Sequence, residues 1–346
     1  MSIIKKAKRI LIIDLLYLGD LMFATPFIKE LRKNFPEARI DIIVNKTFHD
    51  IMDDNPYLDN VYAYNKNFSL KESISFSRGL SKNHYDFALN IHGNWRTALI
   101  LKLVNPQYSV GYGGRGRGIF LDRVVSQAKN THMVEAYLNI LREIRLEVEK
   151  SNPQLEVSDK ARASIRKKLN DWGSHSSNSL IALNTGGTWP TKRWKLKAFA
   201  ELADILNNDY GKVIFIGSKA DSKRVAEIID MMESEPLLAC GKTSLKELAA
   251  LVEYCDLVIS NDSGPVHVAA AVGTPTITIF GPSNDQKYRP LGDKHRILKN
   301  DDISCRPCGE HQCPLNHHKC MEEIEVSQVL DLLDNFKMEM MWNGCE

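Results

Sequence analysis

The chain has 346 residues, of which 43% are hydrophobic and 25% charged, and its 45 Lys and Arg nearly balance its 43 Asp and Glu. These values are typical of a soluble protein long enough for two α/β domains, and the net charge of +2 does not favour a nucleic-acid partner. No apolar run is long enough to span a membrane, and the one after the basic amino terminus, residues 10–13, is too short for a signal peptide. Seven cysteines, an odd number, suit a reducing cytoplasm.

Strands and helices alternate along the first half. Residues 9–14 have the composition of a buried strand, and a loop through Leu18-Gly19-Asp20 leads to a helix over residues 21–34. Further strands are predicted at residues 39–44, 85–91 and 109–111, with a helix that ends near residue 104. This alternation predicts a parallel sheet covered on both faces.

The pattern is lost between residues 149 and 178 and then begins again. Strands are predicted at residues 180–183, 212–217, 256–259 and 276–280, and helices at residues 195–208, 221–232, 244–254 and 266–272. We therefore predict an N-terminal domain (1–165), a linker (166–177) and a C-terminal domain (178–346), with the last helix free to pack back on the first domain. Both are expected to be doubly wound, Rossmann-like α/β domains that face each other across a cleft, where ligands bind.

Three loops of the second half follow strands and should meet at one edge of its sheet. Residues 184–194, NTGGTWPTKRW, combine glycines, hydroxyls and cations. Residues 217–221, GSKAD, place an acid where it can bind a ribose hydroxyl or begin a helix. Residues 260–265, SNDSGP, precede a helix whose first N–H groups can bind phosphate, although Asp262 or Ser263 can equally cap that helix. Singly these loops are unremarkable in composition; together they predict a nucleotide diphosphate site.

The first half offers a candidate general base. Gly19-Asp20 follows the first strand, and a carboxylate there can take a proton from a hydroxyl nucleophile or, equally, cap a helix. No Asp-x-Asp occurs in the chain, so the carboxylate pair that usually holds a metal-bound pyrophosphate is missing. Positive charge on a leaving diphosphate would then come from Lys192, Arg193 and helix N-termini.

Four segments resemble the successive signatures of glycosyltransferase family 9, the ADP-heptose:lipopolysaccharide heptosyltransferases. In order they read LGDLMFATPFIKELRKNFPEARIDIIV, GYGGRGRG, NTGGTWPTKRW and NDSGPVHVAAAVGTPTITIFGP, within a match over residues 9–321. The resemblance implies a GT-B fold, an acceptor-binding first domain, a donor-binding second domain and inverting transfer that requires no metal or other cofactor. It implies that Asp20 is the base, that Lys192 contacts donor phosphate, and that Asp221 binds the ribose.

The expected activity is transfer of heptose from ADP-heptose to the inner core of lipopolysaccharide. The expected location is the cytoplasm, with peripheral contact to the inner membrane through the lipid A acceptor. The catalytic candidates are Asp20 and Lys192. The candidates for donor binding are Gly19, Thr185, Gly186, Gly187, Thr188, Lys192, Arg193, Gly217, Asp221, Asn261, Asp262, Ser263, Gly264, Pro265 and His267. Arg115, Arg117 and Arg123 are candidates for acceptor phosphates or plain surface charges.

Other functions remain open at this point. The same fold could use another nucleotide sugar, in glycosyl transfer or epimerisation, or could bind a nucleotide sugar without catalysis. A non-catalytic binder would have no use for the base in Gly19-Asp20. A Rossmann dehydrogenase is disfavoured because GYGGRGRG, which contains a G-x-G-x-x-G match, does not lead from a predicted strand into a predicted helix.

A cysteine cluster near the carboxyl end has two interpretations. Cys305, Cys308, Cys313 and Cys320 fall within sixteen residues, together with His311, His317 and His318. A CxxC pair followed by further Cys and His can hold structural zinc, but the spacing matches no standard zinc finger, and a loop of free thiols is the alternative. A catalytic metal is not expected.

Overall fold

The computed structural model describes residues 4, 6–113, 117–126, 130–174 and 179–343, and the side chains of residues 117 and 337–343 are not described. The chain forms two compact units, unit 1 (Met1–Glu156) and unit 2 (Val157–Glu346). Each contains one six-stranded sheet in which all neighbouring strands are parallel. Within these described ranges, every helix is too short or too polar to cross a membrane.

Unit 1 alternates strand and helix, as its sequence predicts. Its strands are β1 (Arg9–Asp14), β2 (Arg39–Asn45), β3 (Asn60–Tyr64), β4 (Phe87–Asn90), β5 (Tyr108–Tyr112) and β6 (Arg123–Val125). Its helices are α1 (Leu18–Asn34), α2 (Leu70–Ser81), α3 (Trp95–Val104) and α4 (Met133–Glu143), with short 3-10 turns at Lys46–Phe48, Asp50–Met52 and Arg117–Phe120.

Unit 2 repeats the same plan. Its strands are β7 (Leu180–Asn184), β8 (Lys212–Ile216), β9 (Leu237–Leu238), β10 (Leu257–Asn261), β11 (Thr276–Phe280) and β12 (His295–Lys299). Its helices are α5 (Asp159–Asp171), α6 (Leu196–Asp209), α7 (Ser222–Ile229), α8 (Leu245–Tyr254), α9 (Gly264–Ala271), α10 (Asp285–Tyr288), α11 (Lys319–Glu322) and α12 (Val326–Asn343), with 3-10 turns at Pro190–Lys192 and Lys219–Asp221. The last helix contacts α6, β11 and β12 of its own unit.

The two sheets have the same strand order. It is β3-β2-β1-β4-β5-β6 in unit 1 and β12-β11-β10-β7-β8-β9 in unit 2, which is the same order counted within the unit. The order reverses between β1 and β4 and again between β7 and β10. In doubly wound sheets ligands bind outside the carboxyl ends of the strands at this reversal. The topology therefore points to the residues that follow these four strands.

The core explains why the central strands were predicted correctly. Residues 10–14 of β1 and all of β7, β10 and β11 are buried at consecutive positions, so both faces of these strands are covered. A strand of this kind is apolar in an unbroken run rather than at alternate positions. The largest buried side chain, Trp194, packs edge-on against Phe199 at 5.1 Å in the core of unit 2.

Part of the segment predicted as a linker (166–177) is helical. The units divide after Glu156, and residues 159–171 form α5, which belongs to unit 2. The helix is highly charged, and its buried positions are only Ala161, Ile165 and Leu169. It packs on α8, where Arg162 forms a forked pair with Glu253 at 2.7 and 2.9 Å. One narrow apolar stripe and the Arg162–Glu253 pair hold this helix on α8, although its composition is that of a linker.

We predict that Ile165→Ala destabilises unit 2. Ile165 is fully buried, so its truncation should lower the free energy of unfolding by about 2–4 kcal/mol through lost burial and the cavity left behind. Lys167→Ala, on the exposed face of the same helix, is the matched control and should cost less than about 0.5 kcal/mol. Urea unfolding of both variants checks this, and equal stability would show that the stripe does not anchor the helix.

Candidate functional site

The first candidate site lies where β1 ends in unit 1. β1 ends at Asp14, and α1 begins four residues later, so Gly19 and Asp20 lie inside the first turn of the helix and not in the loop that the sequence predicted. The neighbouring strand β4 leads to Asn94, whose side chain accepts from the Thr97 amide and caps α3. The carboxyl ends of both strands at the reversal of unit 1 thus carry polar side chains.

Two carboxylates share the turn between β1 and α1. Asp14 Oδ1 accepts a hydrogen bond from the Leu16 amide at 3.0 Å, and Asp20 Oδ2 accepts one from the next amide, Tyr17, at 3.3 Å. Asp20 therefore does cap the helix, as one reading of its position allowed. It remains partly exposed, whereas Asp14 is wholly buried. A capping contact occupies one oxygen and does not prevent an exposed carboxylate from acting as a base.

A cation that sequence reasoning missed accompanies these carboxylates. Lys66 follows β3, its Nζ lies 4.9 Å from the centre of the Tyr17 ring, and its charge acts on both Asp14 and Asp20. Burial, and next the charge of Arg96, lower the pKa of Lys66, while the two carboxylates oppose this shift. Neither Asp14 nor Lys66 stands in a recognisable motif, because only the fold brings residues of β1 and of the chain after β3 together.

The second candidate site lies at the reversal in unit 2, where β7 and β10 are neighbours. Asn184 Nδ2 donates to the hydroxyls of Ser260 and Ser263 at 2.8 and 2.6 Å. Asn261 Nδ2 donates to the carbonyls of Thr185 and Gly186 at 2.8 and 3.2 Å. Its other side-chain atom, Oδ1, accepts from a backbone amide at the far end of the first loop, 3.1 Å away. Two of the three predicted loops are therefore fastened to each other by amide side chains at the ends of their strands.

An ion pair stands at the centre of this site. Lys192 Nζ lies 2.7 Å from Asp262 Oδ2, and their side chains are only 17% and 4% exposed. The ammonium also lies over the Trp189 ring, 4.6 Å from its centre. His267 Nε2 is 3.8 Å from the other oxygen of Asp262, and the hydroxyl of Ser283 donates to Asp262. The cation that the sequence assigned to phosphate is thus held in place by a buried carboxylate.

The charge state of Asp262 follows from these partners. Burial on its own would raise the pKa of Asp262, but the hydrogen bond with His267 and the charge of Lys192 outweigh burial and hold this pKa well below its usual range. The carboxylate is therefore ionised at neutral pH, and the pair as a whole is neutral.

The expectation that Asp262 or Ser263 caps the helix is not what their side chains do. Asp262 turns to Lys192, and Ser263, at the N-cap position of α9, makes no side-chain capping bond and instead accepts from Asn184. The amides of the first turn, which includes Gly264 and Pro265, therefore receive no cap from the Ser263 side chain. His267, one of the donor-binding candidates, is buried and pairs with Asp262.

The second predicted loop comes close to the first. Asp221 accepts from the Ser218 amide and hydroxyl at 2.9 and 2.6 Å, which caps the 3-10 turn. A Cβ at Gly186 would lie 2.7 Å from Asp221 Oδ1, so any larger residue there would displace the carboxylate. Gly217 has φ +150° and leads into the same turn. The structure brings Asp221 beside the glycines of the first loop, where a ribose was predicted.

Other side chains of the first loop differ in what they do. Arg193 Nε donates to the Gly187 carbonyl at 2.9 Å and so braces its own loop. Thr185 is buried, and its hydroxyl has no hydrogen-bond partner among the described residues, whereas Thr188 is exposed. Arg224, which the sequence did not single out, donates to the Thr185 carbonyl at 3.1 Å from α7. Its position on a helix after β8 gave no local signal of this contact.

The acceptor candidates receive no support from their placement. Arg115 and the side chain of Arg117 lie outside the described residues. Arg123 begins β6 and pairs with Glu143 of α4 at 3.3 Å. Their assignment to acceptor phosphates stays a prediction.

The segment that carries the four cysteines, residues 305–320 (the cysteine loop), lies against the first loop, residues 184–194, which we call the donor loop after its predicted role. Cys305, Cys308, Cys313 and Cys320 line one cavity and are free thiols; burial raises the pKa of Cys320 to about 11. In the part of the chain that the structure describes, only His49, Asp50 and Asp53 place three ligand atoms within 4.8 Å of one another, so zinc at the cysteines stays a prediction.

Contacts of the cysteine loop fix the backbone before Lys192. His318 Nε2 donates to the Thr191 carbonyl at 2.7 Å, and the Thr191 hydroxyl donates to the Glu310 carbonyl at 2.8 Å. The rings of Trp189 and His311 stack with their centres 4.0 Å apart. The cysteine loop therefore supports the loop that carries Lys192.

Comparisons with known proteins agree with this architecture. A lipooligosaccharide heptosyltransferase 2 of Campylobacter jejuni is 26% identical over 323 residues, which cover 92% of this chain and 95% of the relative. The crystal structure of a family 9 glycosyltransferase from Veillonella parvula has a TM-score of 0.89 at 27% identity, over 96% of this chain and 98% of that one. Escherichia coli ADP-heptose LPS heptosyltransferase II has the same fold, with a TM-score of 0.83 at 24% identity over 96% and 99% of the two chains.

The predicted fold class is confirmed: the protein is α/β, with two doubly wound, Rossmann-like units of the GT-B type. The model of glycosyltransferase family 9 (heptosyltransferase) matches residues 73–319, which is most of the chain and includes Lys192, Asp262 and the first three of the four clustered cysteines. The chain therefore belongs to glycosyltransferase family 9.

Proposed function

We propose that the protein transfers heptose from ADP-heptose to an acceptor in the inner core of lipopolysaccharide, with inversion at the anomeric carbon. The observation that carries the proposal is the Lys192–Asp262 pair at the strand reversal of unit 2, beside the glycines of the first loop and the first turn of α9. A fixed cation and the N-terminal turn of a helix at one point are suited to a diphosphate. Membership of a heptosyltransferase family supports heptose as the sugar.

The acceptor is activated in unit 1. Asp20 takes the proton from the acceptor hydroxyl as its O–H bond breaks, and the freed electron pair of the oxygen forms the new bond to the anomeric carbon. The bond from that carbon to the diphosphate breaks with its electron pair, and ADP leaves. Asp20 is suited to this role because its carboxylate stays partly exposed at the end of β1 while the Tyr17 amide fixes its orientation.

The leaving group is stabilised in unit 2. Asp262 holds Lys192 in position and balances its charge. The site therefore needs little rearrangement when negative charge builds on the departing diphosphate. Asp221 is placed to accept from the ribose hydroxyls, and Thr185, Gly187 and the first turn of α9 offer further contacts to the phosphates. We propose that these groups replace a metal ion in the reaction.

The proposed acceptor implies a cellular location. A lipid-linked sugar acceptor stays at a membrane, so we propose that the protein acts in the cytoplasm, in peripheral contact with the inner membrane surface. The donor is soluble, and its site requires no membrane.

A donor panel tests the proposed activity. The protein is incubated with a truncated lipid A–core acceptor and, in turn, ADP-heptose, ADP-hexose, UDP-hexose and GDP-hexose, and the products are identified by mass. We expect one added heptose with ADP-heptose alone. Transfer of a hexose would identify another donor, epimerised donor without transfer would identify an epimerase, and binding of ADP-heptose without any product would leave a non-catalytic binder.

Removing the base should abolish turnover and leave donor binding intact. Asp20→Asn keeps an oxygen that can accept from the Tyr17 amide but cannot take a proton, so kcat should fall by about two to four orders of magnitude. Steady-state kinetics and calorimetric titration of ADP measure the two effects. If Asp20→Asn instead lost ADP affinity and retained its turnover, Asp20 would not be the base.

Lys192 should be needed for the diphosphate and not only for Asp262. Lys192→Met should cost about 2–4 kcal/mol in kcat/KM because charge on the leaving group loses its partner. It also leaves the buried Asp262 carboxylate without its cation, so the double variant Lys192→Met/Asp262→Asn removes that charge as well.

We expect the double variant to remain as inactive as Lys192→Met. Recovery of activity in the double variant would show that Lys192 serves only to neutralise Asp262. Lys195→Ala is the matched control, since this lysine follows the same loop but pairs with Glu325 at 3.0 Å, and it should keep activity.

Chelation should separate catalysis from any structural metal. With no Asp-x-Asp in the chain and with Lys192 on the leaving group, initial rates should be unchanged in EDTA. A strict requirement for added Mg²⁺ or Mn²⁺ would contradict the proposed mechanism. Release of zinc with slow loss of folded protein would instead identify a structural site at the four cysteines.

A further inference from the structure

The turn between β1 and α1 contains one carboxyl group more than the proposed reaction uses. Asp14 is fully buried at the end of β1. Its Oδ1 accepts from the Leu16 amide, but its Oδ2 is buried with no hydrogen-bond partner among the described residues. An unpaired buried oxygen of this kind is costly, more so when it carries charge, and calls for an explanation.

The geometry places this carboxyl next to Asp20. Asp14 and Asp20 bind the amides of consecutive residues, Leu16 and Tyr17, at 3.0 and 3.3 Å. Because consecutive residues are only about 3.8 Å apart, both carboxyl groups lie against one short turn. One of them is exposed and the other lies in the protein interior.

The charged groups that act on Asp14 come from several neighbouring elements. Lys66 is the cation whose charge acts on both Asp14 and Asp20, and Arg96 acts on Lys66. The strand neighbours at this end are uncharged, since Asp14 is opposite Val44 in β2 and Ile13 is opposite Asn90 in β4. The nearest titratable side chain in sequence after β4 is His92, which lies 3.1 Å from Asn94. When both carboxyl groups are ionised, Asp14 therefore faces the charge of Asp20 as well as that of Lys66.

We propose that Asp14 is a positioning residue for glycosyl transfer, which keeps a proton in the resting protein and thereby sets how strongly Asp20 binds the proton of the acceptor hydroxyl. The inference rests on the proposed role of Asp20 as the base. When Asp14 ionises, a second negative charge beside Asp20 increases its affinity for a proton and makes it a stronger base.

The electrostatics of the buried group agree with this. Burial, and next the charge of Asp20, raise the pKa of Asp14 from 3.8 to about 7, while the Leu16 amide and Lys66 oppose the shift. The group therefore changes its charge within the range in which the enzyme can be assayed.

The test is the pH dependence of kcat for the wild type and Asp14→Asn. In the wild type, kcat should rise by about fivefold between pH 6 and pH 8.5 as Asp14 ionises, and in Asp14→Asn it should change by less than about twofold, because the amide cannot ionise. Asp86→Asn is the matched control. Asp86 also accepts hydrogen bonds from two backbone amides, those of Lys8 and Arg9, at the opposite end of β1. Its replacement should preserve the rise in kcat.

Stability gives a second measurement that does not depend on activity. A carboxyl whose pKa is higher in the folded state binds a proton that the unfolded chain releases, so stability is lost as pH rises from about 4 to 7. Asp14→Asn avoids this loss, and its thermal midpoint relative to the wild type should therefore increase from pH 5 to pH 8.

Several outcomes overturn the proposal. It fails if the wild type shows no rise in kcat, if Asp14→Asn keeps the rise, or if the midpoint difference is the same at both pH values. Should Asp14→Asn not fold, ¹³C NMR of aspartate-labelled wild type decides, since the proposal requires one aspartate to titrate between pH 6 and pH 8. Retained turnover in Asp20→Asn would instead refute Asp20 as the base, and the stability and NMR measurements would still report on Asp14.

Discussion

The proposed donor site depends on one ion pair, between the largely buried Lys192 ammonium and Asp262 carboxylate. Either charge alone would be costly at that depth, so the pair fixes the loop before α6 against the end of β10. Ser283, His267 and the Trp189 ring complete the surroundings of the pair. In the proposed function, a diphosphate therefore meets a cation that the protein has already positioned.

Unit 1 has the same strand order as unit 2 but a different set of charged groups at its strand reversal. At the reversal in unit 1 lie two carboxyl groups and a nearby lysine. At the reversal in unit 2 lie the Lys192–Asp262 ion pair and the N-terminal turn of a helix. The first arrangement is suited to accept a proton, and the second to accept negative charge. Both follow from one topological fact, that the chain leaves neighbouring strands in opposite directions at the reversal.

The sequence predicted most of the central sheet strands because each is an unbroken apolar run, as in β1, β7 and β11. It missed β3 and β12, whose residues are mostly half-exposed, and the short strands β6 and β9, since none of the four has a run of buried side chains. It identified Asp20, Lys192 and Asp262 through motifs that follow strands. It could not identify Lys66 or Arg224, because their contacts join segments far apart in sequence and leave no local pattern.

The donor loop is also bound to parts of the chain that lie much later in sequence. Thr191 contacts Glu310 and His318, which are 119 and 127 positions away, and the Trp194 indole donates to the Ile324 carbonyl, 130 positions away. A protein is made from its amino end, and domains generally fold as they emerge from the ribosome. The loop that carries Lys192 therefore acquires its final support only after residue 324 has been synthesised. During biosynthesis Asp20, the proposed base, can be in place before the loop of Lys192 is supported, and a nascent chain that stalls before this point lacks that support.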